Sequence, residues 1–428
     1  MLKKKIVCSV LLLVVLSGCP YFGVEVNDGE HSDQFRFAVA ALDAWFLYRD
    51  KLPNNPYRYS DPIVLYEALD EPHTNFFSPD FTKFILRSLS TVTAGVGIRI
   101  DSTASGYLIR EVFQSSPGES AGLKKQDTIT AVDQESVIGL TYEALTRLIR
   151  GDVGTEVEFR VRRDTNYLNV TVVLDEYMSP SVFTDSLSEY TGYLLLTTFL
   201  SSTNVDGGTS EEFRNALQAL SWAENVIVDL RGNGGGELSQ VYDIISQMVP
   251  ARTAIANIRE RYYDRDREIF STVNYLWETE TFQGDFLSAN LVLLFNRKTA
   301  SASELMITAI KGAVDRVVTM GDSNSYGKAR GQVLLLGPDS SMARITKMEF
   351  APVTGPGYDN RIGIAPDIVV EDDDVISYAV GFFQDTVIAK KRTENSIRID
   401  RLRKQVYRHR IPMAVTVENG DGELLRDH

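Results

Sequence analysis

The chain has 428 residues, 43% of them hydrophobic and 24% charged, the proportions of a globular protein long enough for two or three domains. They exclude a disordered, collagenous or polytopic membrane chain. With 44 basic against 58 acidic side chains the formal charge is −14, which argues against nucleic acid as a partner, because such binders present a basic face to phosphate.

In chain order, the first feature is an 11-residue apolar run at 6–16 behind Lys3, Lys4 and Lys5, too short to cross a bilayer and shaped like a secretory signal. It ends in Leu16-Ser17-Gly18-Cys19, which resembles the lipobox of bacterial lipoproteins. The resemblance implies a signal peptide over 1–18, lipid attachment at Cys19, and a protein held at a membrane surface of the bacterial envelope, outer membrane or periplasmic face. Cys8 then leaves with the signal, so no thiol remains for a disulfide or a cysteine metal site. Three lysines and no acid leave with it, taking the charge from −14 to −17. Residues 19–34 read as a polar tether.

From 35 to 89 the chain is aromatic-rich. Helical spacing at Ala38, Ala41, Leu42 and Trp45, and helix starts at Asp61-Pro62 and Ser78-Pro79, predict a small helical domain. Residues 90–174 change character: short β-branched runs at 97–100, 107–112, 128–132, 157–161 and 168–173 alternate with turns around one helix that Thr141 can cap, a small β-rich domain.

Over 175–388 strands and helices alternate, predicting an α/β core with crossover connections. Thr209 to Glu212 reads as a helix cap, 226–230, 291–295 and 317–320 as buried strands, and 302–313 as a helix. The charged, tyrosine-rich stretch 253–285 reads as an inserted hairpin or flap. Residues 389–428 form a charged tail, with an amphipathic helix expected over 387–408.

The four histidines are His31, His73, His409 and His428, none of them in the β-rich domain or the α/β core. This argues against a Ser-His-Asp triad and against a histidine zinc site, and neither a cofactor nor a metal is expected. What remains is serine and lysine. Ser301, Ala302, Ser303 and Glu304 lie between a buried strand and a helix start, where unpaired N–H groups favour developing negative charge, although serines there commonly serve only as caps. Asp229 to Gly236, DLRGNGGG, ends a strand in glycines whose N–H groups can approach a ligand. Lys328 follows Gly327, with Gln332 four residues on. A lysine is a base only when neutral, which at an ordinary pKa near 10.4 holds for about one molecule in 2,500 at pH 7. Lowering it three units by desolvation costs about 4 kcal/mol.

Taken together, DLRGNGGG at 229–236, SASE at 301–304, YGKARGQ at 326–332 and GIAPDI at 363–368 resemble, in that order, the motifs of the carboxyl-terminal processing peptidases, also called tail-specific proteases. The resemblance covers about residues 85–380. It implies a crotonase/ClpP-like α/β protease core preceded by a PDZ-like domain and an N-terminal helical segment. It also implies Ser301 as nucleophile, Lys328 as general base and Gln332 as the residue that positions the lysine. Ala302 and Gly235 would supply the oxyanion N–H groups. From Ser301 to Lys328 is 27 residues where the family usually has 25, and Ser303 would give 25; Ser301 is retained because the family allows Ala at the third motif position. GKARGQ departs from the common GKGxVQ, placing Ala329 and Arg330 beside the base.

The β-rich domain resembles a PDZ domain through AGVGI at 94–98, SPGESAG at 116–122 and RGDVGT at 150–155. Gly95, Val96, Gly97 and Ile98 would then capture a substrate's C-terminal carboxylate while the peptide adds as a strand. The implied activity is a serine endopeptidase acting on exported proteins with apolar C-terminal tails. The alternative is a catalytically inactive lipoprotein of the same fold that only binds such tails. An acyl-CoA enzyme of the crotonase type would leave the PDZ-like domain and the GKARGQ element unexplained. The sequence does not specify an oligomeric state.

Overall fold

The computed structural model describes residues 14–15, 31–88, 92–264, 269–280, 289–355, 357–358 and 362–384. Cys19, the rest of the expected signal and tether before residue 31, the 387–408 helix and the 389–428 tail lie outside the described residues. No helix among the described residues is long and apolar enough to cross a membrane.

The α/β core is built on a six-stranded sheet. Its order is Val182–Ser186, Thr191–Leu196, Asn225–Asp229, Asn290–Leu294, Val317–Gly321 and Ile368–Val369, the first pair antiparallel and the rest parallel. Its middle strands, Thr191–Leu196 and Asn225–Asp229, are buried along their whole length, as parallel strands covered on both faces must be. Helices Thr209–Ala219, Leu238–Met248 and Ala302–Ala313 pack on one face around Val226, Val228, Leu293 and Leu305. Helix Val375–Phe383 covers the other, around Ile227, Val292 and Met320. The cap expected at Thr209 sits one residue earlier, on Gly208; the Thr209 hydroxyl instead accepts from Ser181 Oγ and Leu200 N–H.

A second, antiparallel sheet lies beyond the helices. It runs Arg330–Leu336, Met342–Pro352, Ala254–Asp264, Ile269–Glu278. Val14–Val15 pairs parallel with Leu335 and Leu336 at its edge. Of the two readings of 253–285, hairpin or flap, the hairpin fits: Ala254–Asp264 and Ile269–Glu278 pair antiparallel, and Ala254–Asp264 pairs on its other side with Met342–Pro352, so that Ile258 and Phe350 bury against the same core as Ala302 and Met306.

The N-terminal segment also differs from expectation. Its helices form where the sequence placed them, Asp33–Trp45 capped by Ser32, Pro62–Glu67 by Asp61, and Pro79–Ser88. It is not a separate domain, however. Strand Asn75–Phe77 pairs with Met342 to Arg344, and Phe35, Leu42, Leu65 and Phe76 share one apolar cluster with Val333, Leu335, Ala343 and Ile345 of the second sheet. An amphipathic helix pair this small cannot bury its apolar face alone, and the sheet supplies the missing half.

Residues 98–173 form a β-sheet of their own, ordered Ile98–Thr103, Gly106–Val112, Thr128–Val132, Glu156–Arg163, Asn166–Val173, with Glu135–Ser136 beside Thr128–Val132. Ile109, Ile129, Phe159 and Val161 fill its separate core, closed by helix Tyr142–Leu148 with Thr141 as cap. Two strands, Val92–Gly95 and Asp175–Met178, pair as its stalk, and Phe113 packs against Tyr177 of the stalk and reaches across to Phe183 of the core.

Phe76→Ala should cost about 3–5 kcal/mol. Because the cluster is shared, urea unfolding followed by tryptophan fluorescence and by far-UV dichroism should give coincident transitions; an early, separate loss of the N-terminal helices would contradict the shared core.

Candidate active site

The glycine turn is anchored first. Asp229 and Arg231 are both fully buried. The Asp229 carboxylate accepts from Arg231 N–H (2.9 Å), Arg231 Nη2 (2.7 Å) and Tyr193 Oη (2.7 Å), and Arg231 Nη1 donates onward to the carbonyl (2.8 Å) and carboxylate (3.0 Å) of Asp372. Such a pair gains little net stability after desolvation; what it does is hold the turn after the strand in one place.

Asn233, also buried, ties this turn to the serine. Its Nδ2 donates to Leu196 O (2.9 Å), and its carbonyl accepts from Ala300 N–H and Ser303 Oγ, both at 3.0 Å. Gly235, with φ +102°, lies against Ser301: a Cβ there would sit 2.9 Å from Ser301 Cβ and 3.0 Å from Ala302 N, so only glycine permits this approach. Its N–H, expected to face an oxyanion, donates instead to Asn233 Oδ1 at 2.9 Å. In this conformation that donor is engaged, and an oxyanion has to take it from the amide. Ala302, the first helical residue, has an N–H with no intrahelical acceptor.

Ser301 is the N-cap of helix Ala302–Ala313 and has φ 58°, ψ −118°, a backbone strain that non-glycine residues rarely carry and that clusters at functional sites. Ser303 is fully buried with its hydroxyl committed to Asn233, so of the two serines Ser301 is the one at the strained turn, 8% exposed.

Glu304 connects the serine to the lysine. Its side chain is fully buried and accepts four hydrogen bonds: Oε2 from Ser301 N–H and Lys328 N–H, each 2.8 Å, and Oε1 from Gly327 N–H (2.7 Å) and Ser325 Oγ (2.5 Å). One oxygen thus holds the backbone nitrogens of Ser301 and Lys328 within twice 2.8 Å of each other. Burial raises the Glu304 pKa, and these bonds oppose the rise. Ser325 is fixed in turn by Ile364, whose N–H donates to Ser325 Oγ (2.7 Å) and whose carbonyl accepts Ser325 N–H (3.0 Å). Gly363, φ +74°, passes so close that a Cβ would lie 2.0 Å from Ser325 O. The GIAPDI element therefore braces the lysine loop, and Asp367 locks its far end by accepting from Thr319 N–H (3.0 Å) and Oγ1 (2.8 Å).

Lys328 retains some accessible surface, but the packing around its amine desolvates the ammonium. Desolvation, then the charge of Arg344, push its pKa from 10.5 down to about 7, against the carboxylates of Glu71 and Glu304. About half of such lysines are neutral at pH 7. Neighbouring Ala329 packs into the core, and the Arg330 guanidinium lies over Tyr48 (5.2 Å) and binds Glu71 (2.7 Å). The Gln332 amide donates to Thr346 Oγ1 at 3.4 Å. Ser301, Ala302, Gly235 and Lys328 are thus brought together, while Gln332 engages the second sheet.

Four residues had roles that the sequence reading did not assign: Glu304 as an anchor, Asn233, Glu71 and Arg344. For Glu304 a signal was present, because Ser301-x-x-Glu304 is a capping-box spacing. Among the described residues no group of three or more His, Cys, Asp and Glu side chains could hold a metal ion, and His31 stacks on Tyr57 in the N-terminal segment.

In the small domain Val96, Gly97 and Ile98 are buried, and Gly95 precedes them at the end of the stalk strand. Val96 and Gly97 turn their carbonyls to Gly118 N–H (2.7 Å) and Phe113 N–H (2.9 Å). Ile98–Thr103 is one of the two edge strands of its sheet, Asn166–Val173 being the other.

Comparison with known proteins agrees with this layout. The model of peptidase family S41 matches residues 190–370, and that of the PDZ domain matches 94–174. Carboxy-terminal processing protease CtpB of Bacillus subtilis is 27% identical over 317 residues, 72% of this chain and 62% of the relative. The chain thus spans about six tenths of the length of that relative. A carboxyl-terminal-processing protease of Picosynechococcus sp. is 26% identical over 408 residues, 89% of this chain and 93% of the relative. The solved structure of a photosystem II D1 C-terminal processing protease, 23% identical, covers 79% of this chain and 93% of its own with a TM-score of 0.44.

Glu304→Gln replaces one acceptor oxygen by an N–H2 group facing two donors. It should destabilise the fold by about 2–4 kcal/mol in urea unfolding; a change under about 1 kcal/mol would mean that the carboxylate does not hold the two loops.

Proposed function

We propose, from the match of the peptidase family S41 model to residues 190–370 and of the PDZ model to 94–174, that the chain is a serine endopeptidase with a Ser301–Lys328 dyad, acting on exported proteins recognised by their C-terminal tails. The observation that carries the reading is the Glu304 carboxylate joining a strained Ser301 to a Lys328 with a pKa of about 7. A group that must gain and lose a proton in each turnover works best with a pKa near the working pH.

In this mechanism a tail docks along the Ile98–Thr103 edge with its carboxylate at the 95–98 loop, and the extended chain reaches Ser301. Neutral Lys328 Nζ takes the Ser301 Oγ proton as Oγ attacks the scissile carbonyl carbon. The resulting oxyanion receives Ala302 N–H, and Gly235 N–H once that group leaves Asn233 Oδ1. The tetrahedral intermediate collapses as the lysine ammonium protonates the departing amine, leaving an ester on Ser301. Water then attacks that ester, with Lys328 taking its proton, and the acid product and free serine are released. In the cell we place the protein in the bacterial envelope, lipid-anchored at Cys19.

Ser301→Ala and Lys328→Ala should each reduce cleavage of an unstructured protein with an apolar tail by roughly 10³-fold or more, with the far-UV spectrum kept. Undiminished cleavage by Ser301→Ala alongside loss in Ser303→Ala would transfer the nucleophile's role to Ser303. Since the neutral lysine is the active form, kcat/KM should rise with pH through about 7 and level off above it; a profile falling across that range would contradict lysine as base. Amidating the substrate's terminal carboxylate should raise KM roughly tenfold while kcat holds.

A further inference from the structure

The lysine side of the site is completed from the other end of the chain. Glu71, in the turn between helices Pro62–Glu67 and Pro79–Ser88, has a side chain with no exposed surface. Its carboxylate accepts from Arg330 Nη1 (2.7 Å), Thr346 Oγ1 (2.8 Å) and Thr74 Oγ1 (2.5 Å). Thr346 is held twice more by this segment: its N–H donates to Thr74 Oγ1 (3.0 Å) and its carbonyl accepts Leu47 N–H (3.0 Å). The Thr346 hydroxyl that donates to Glu71 is the one that accepts from Gln332 Nε2, so a chain of donors runs from Gln332 through Thr346 to Glu71. Next to Thr74, Asn75 Oδ1 accepts from the Arg344 guanidinium, which also lies over the Phe77 ring (5.2 Å).

The charges around this point are Lys328, Arg330 and Arg344 on the cationic side and Glu71 and Glu304 on the anionic side, with Tyr326 facing Arg344 and with Tyr48 and Glu349 beside Arg330. Glu304 is already shared among four donors. Glu71 pairs with Arg330 and its charge also acts on Arg344.

We propose that Glu71 is a positioning residue of this site, supplied from the N-terminal segment: it fixes Gln332 through Thr346, and its charge offsets Arg330 and Arg344 beside Lys328. The inference deepens the Ser301–Lys328 reading and rests on it for its catalytic consequence. The N-terminal segment is then a working part of the active site as well as a cover for the second sheet.

The test uses the full chain and reads Lys328 without relying on turnover. Acetic anhydride acylates neutral amines, so peptide mass mapping across pH gives the titration of Lys328, with exposed Lys83 as internal standard. Glu71→Gln removes a charge that favours the ammonium, so the Lys328 midpoint should move to lower pH and its relative labelling at pH 6 should rise roughly threefold or more. Arg344→Gln should move it the opposite way. In cleavage assays Glu71→Gln should carry the acid limb of kcat/KM to lower pH and lower the plateau, and Glu71→Asp should restore part of both. A labelling midpoint and plateau unchanged in Glu71→Gln would overturn the proposal. If Glu71→Gln does not fold, Thr346→Val keeps every charge and removes the hydroxyl that joins Gln332 to Glu71; it should lower kcat roughly tenfold with KM unchanged, and an unaltered kcat would overturn the proposal. A shifted midpoint in a protein that cleaves no tail would instead count against the peptidase reading and leave the role of Glu71 standing.

Discussion

A carboxylate buried as completely as that of Glu304 stays ionised only where donors replace the water it has lost. Here the donors come from two places far apart in sequence, Ser301 at the start of one helix and Ser325, Gly327 and Lys328 in the loop before the second sheet. Satisfying one side chain therefore forces two loops into a single position. The serine backbone takes up a strained φ of 58° as part of that settlement, and the neighbouring Gly235 must be glycine for the turn to lie against it. Glu304 also opposes what a lysine base requires, since its charge favours the ammonium. Its four donors absorb much of that charge, and desolvation together with Arg344 prevails, leaving Lys328 near pH 7.

The surrounding fold can be understood as bracing for this constraint. The buried Asp229–Arg231 pair and Asn233 hold the glycine turn from one side. Gly363, Ile364 and Asp367 hold the lysine loop from the other, closing the central sheet with Ile368–Val369 beside Val317–Gly321. The second sheet carries Gln332 and Arg344 and is itself completed by strand Asn75–Phe77. The small domain is joined more lightly, through a two-strand stalk, the Phe113–Phe183 contact and an Arg99–Asp185 ion pair at 3.9 Å.

Much of this was legible in the residues. Alternating β-branched runs and helical periodicities placed the elements of the central sheet and the small domain, because there the burial pattern follows local period. Motif order brought Ser301, Lys328 and Gly235 to one site. What was not legible depended on contacts between distant segments. The antiparallel pair Ala254–Asp264 and Ile269–Glu278 fits the hairpin read from the sequence, but nothing local reveals that Ala254–Asp264 also pairs with Met342–Pro352. The helices of 35–88 carry their own periodicity, and nothing local reveals that their apolar face meets Val333 and Ile345. Asn233 taking the Gly235 N–H is an Asx-type bond across two residues that a glycine-rich string does not announce. Glu71 contributes through a partner 275 positions away.

The central claim is that Ser301 becomes acylated with Lys328 as its base. Its most direct test is peptide mass mapping of the intermediate, trapped by acid quench during turnover of an activated ester carrying an apolar, free-carboxylate tail. The mass of the acyl group should appear on Ser301 in the native chain and be lost in Lys328→Ala. An adduct on Ser303, or continued tail cleavage by a chain that never carries acyl on Ser301, would contradict it.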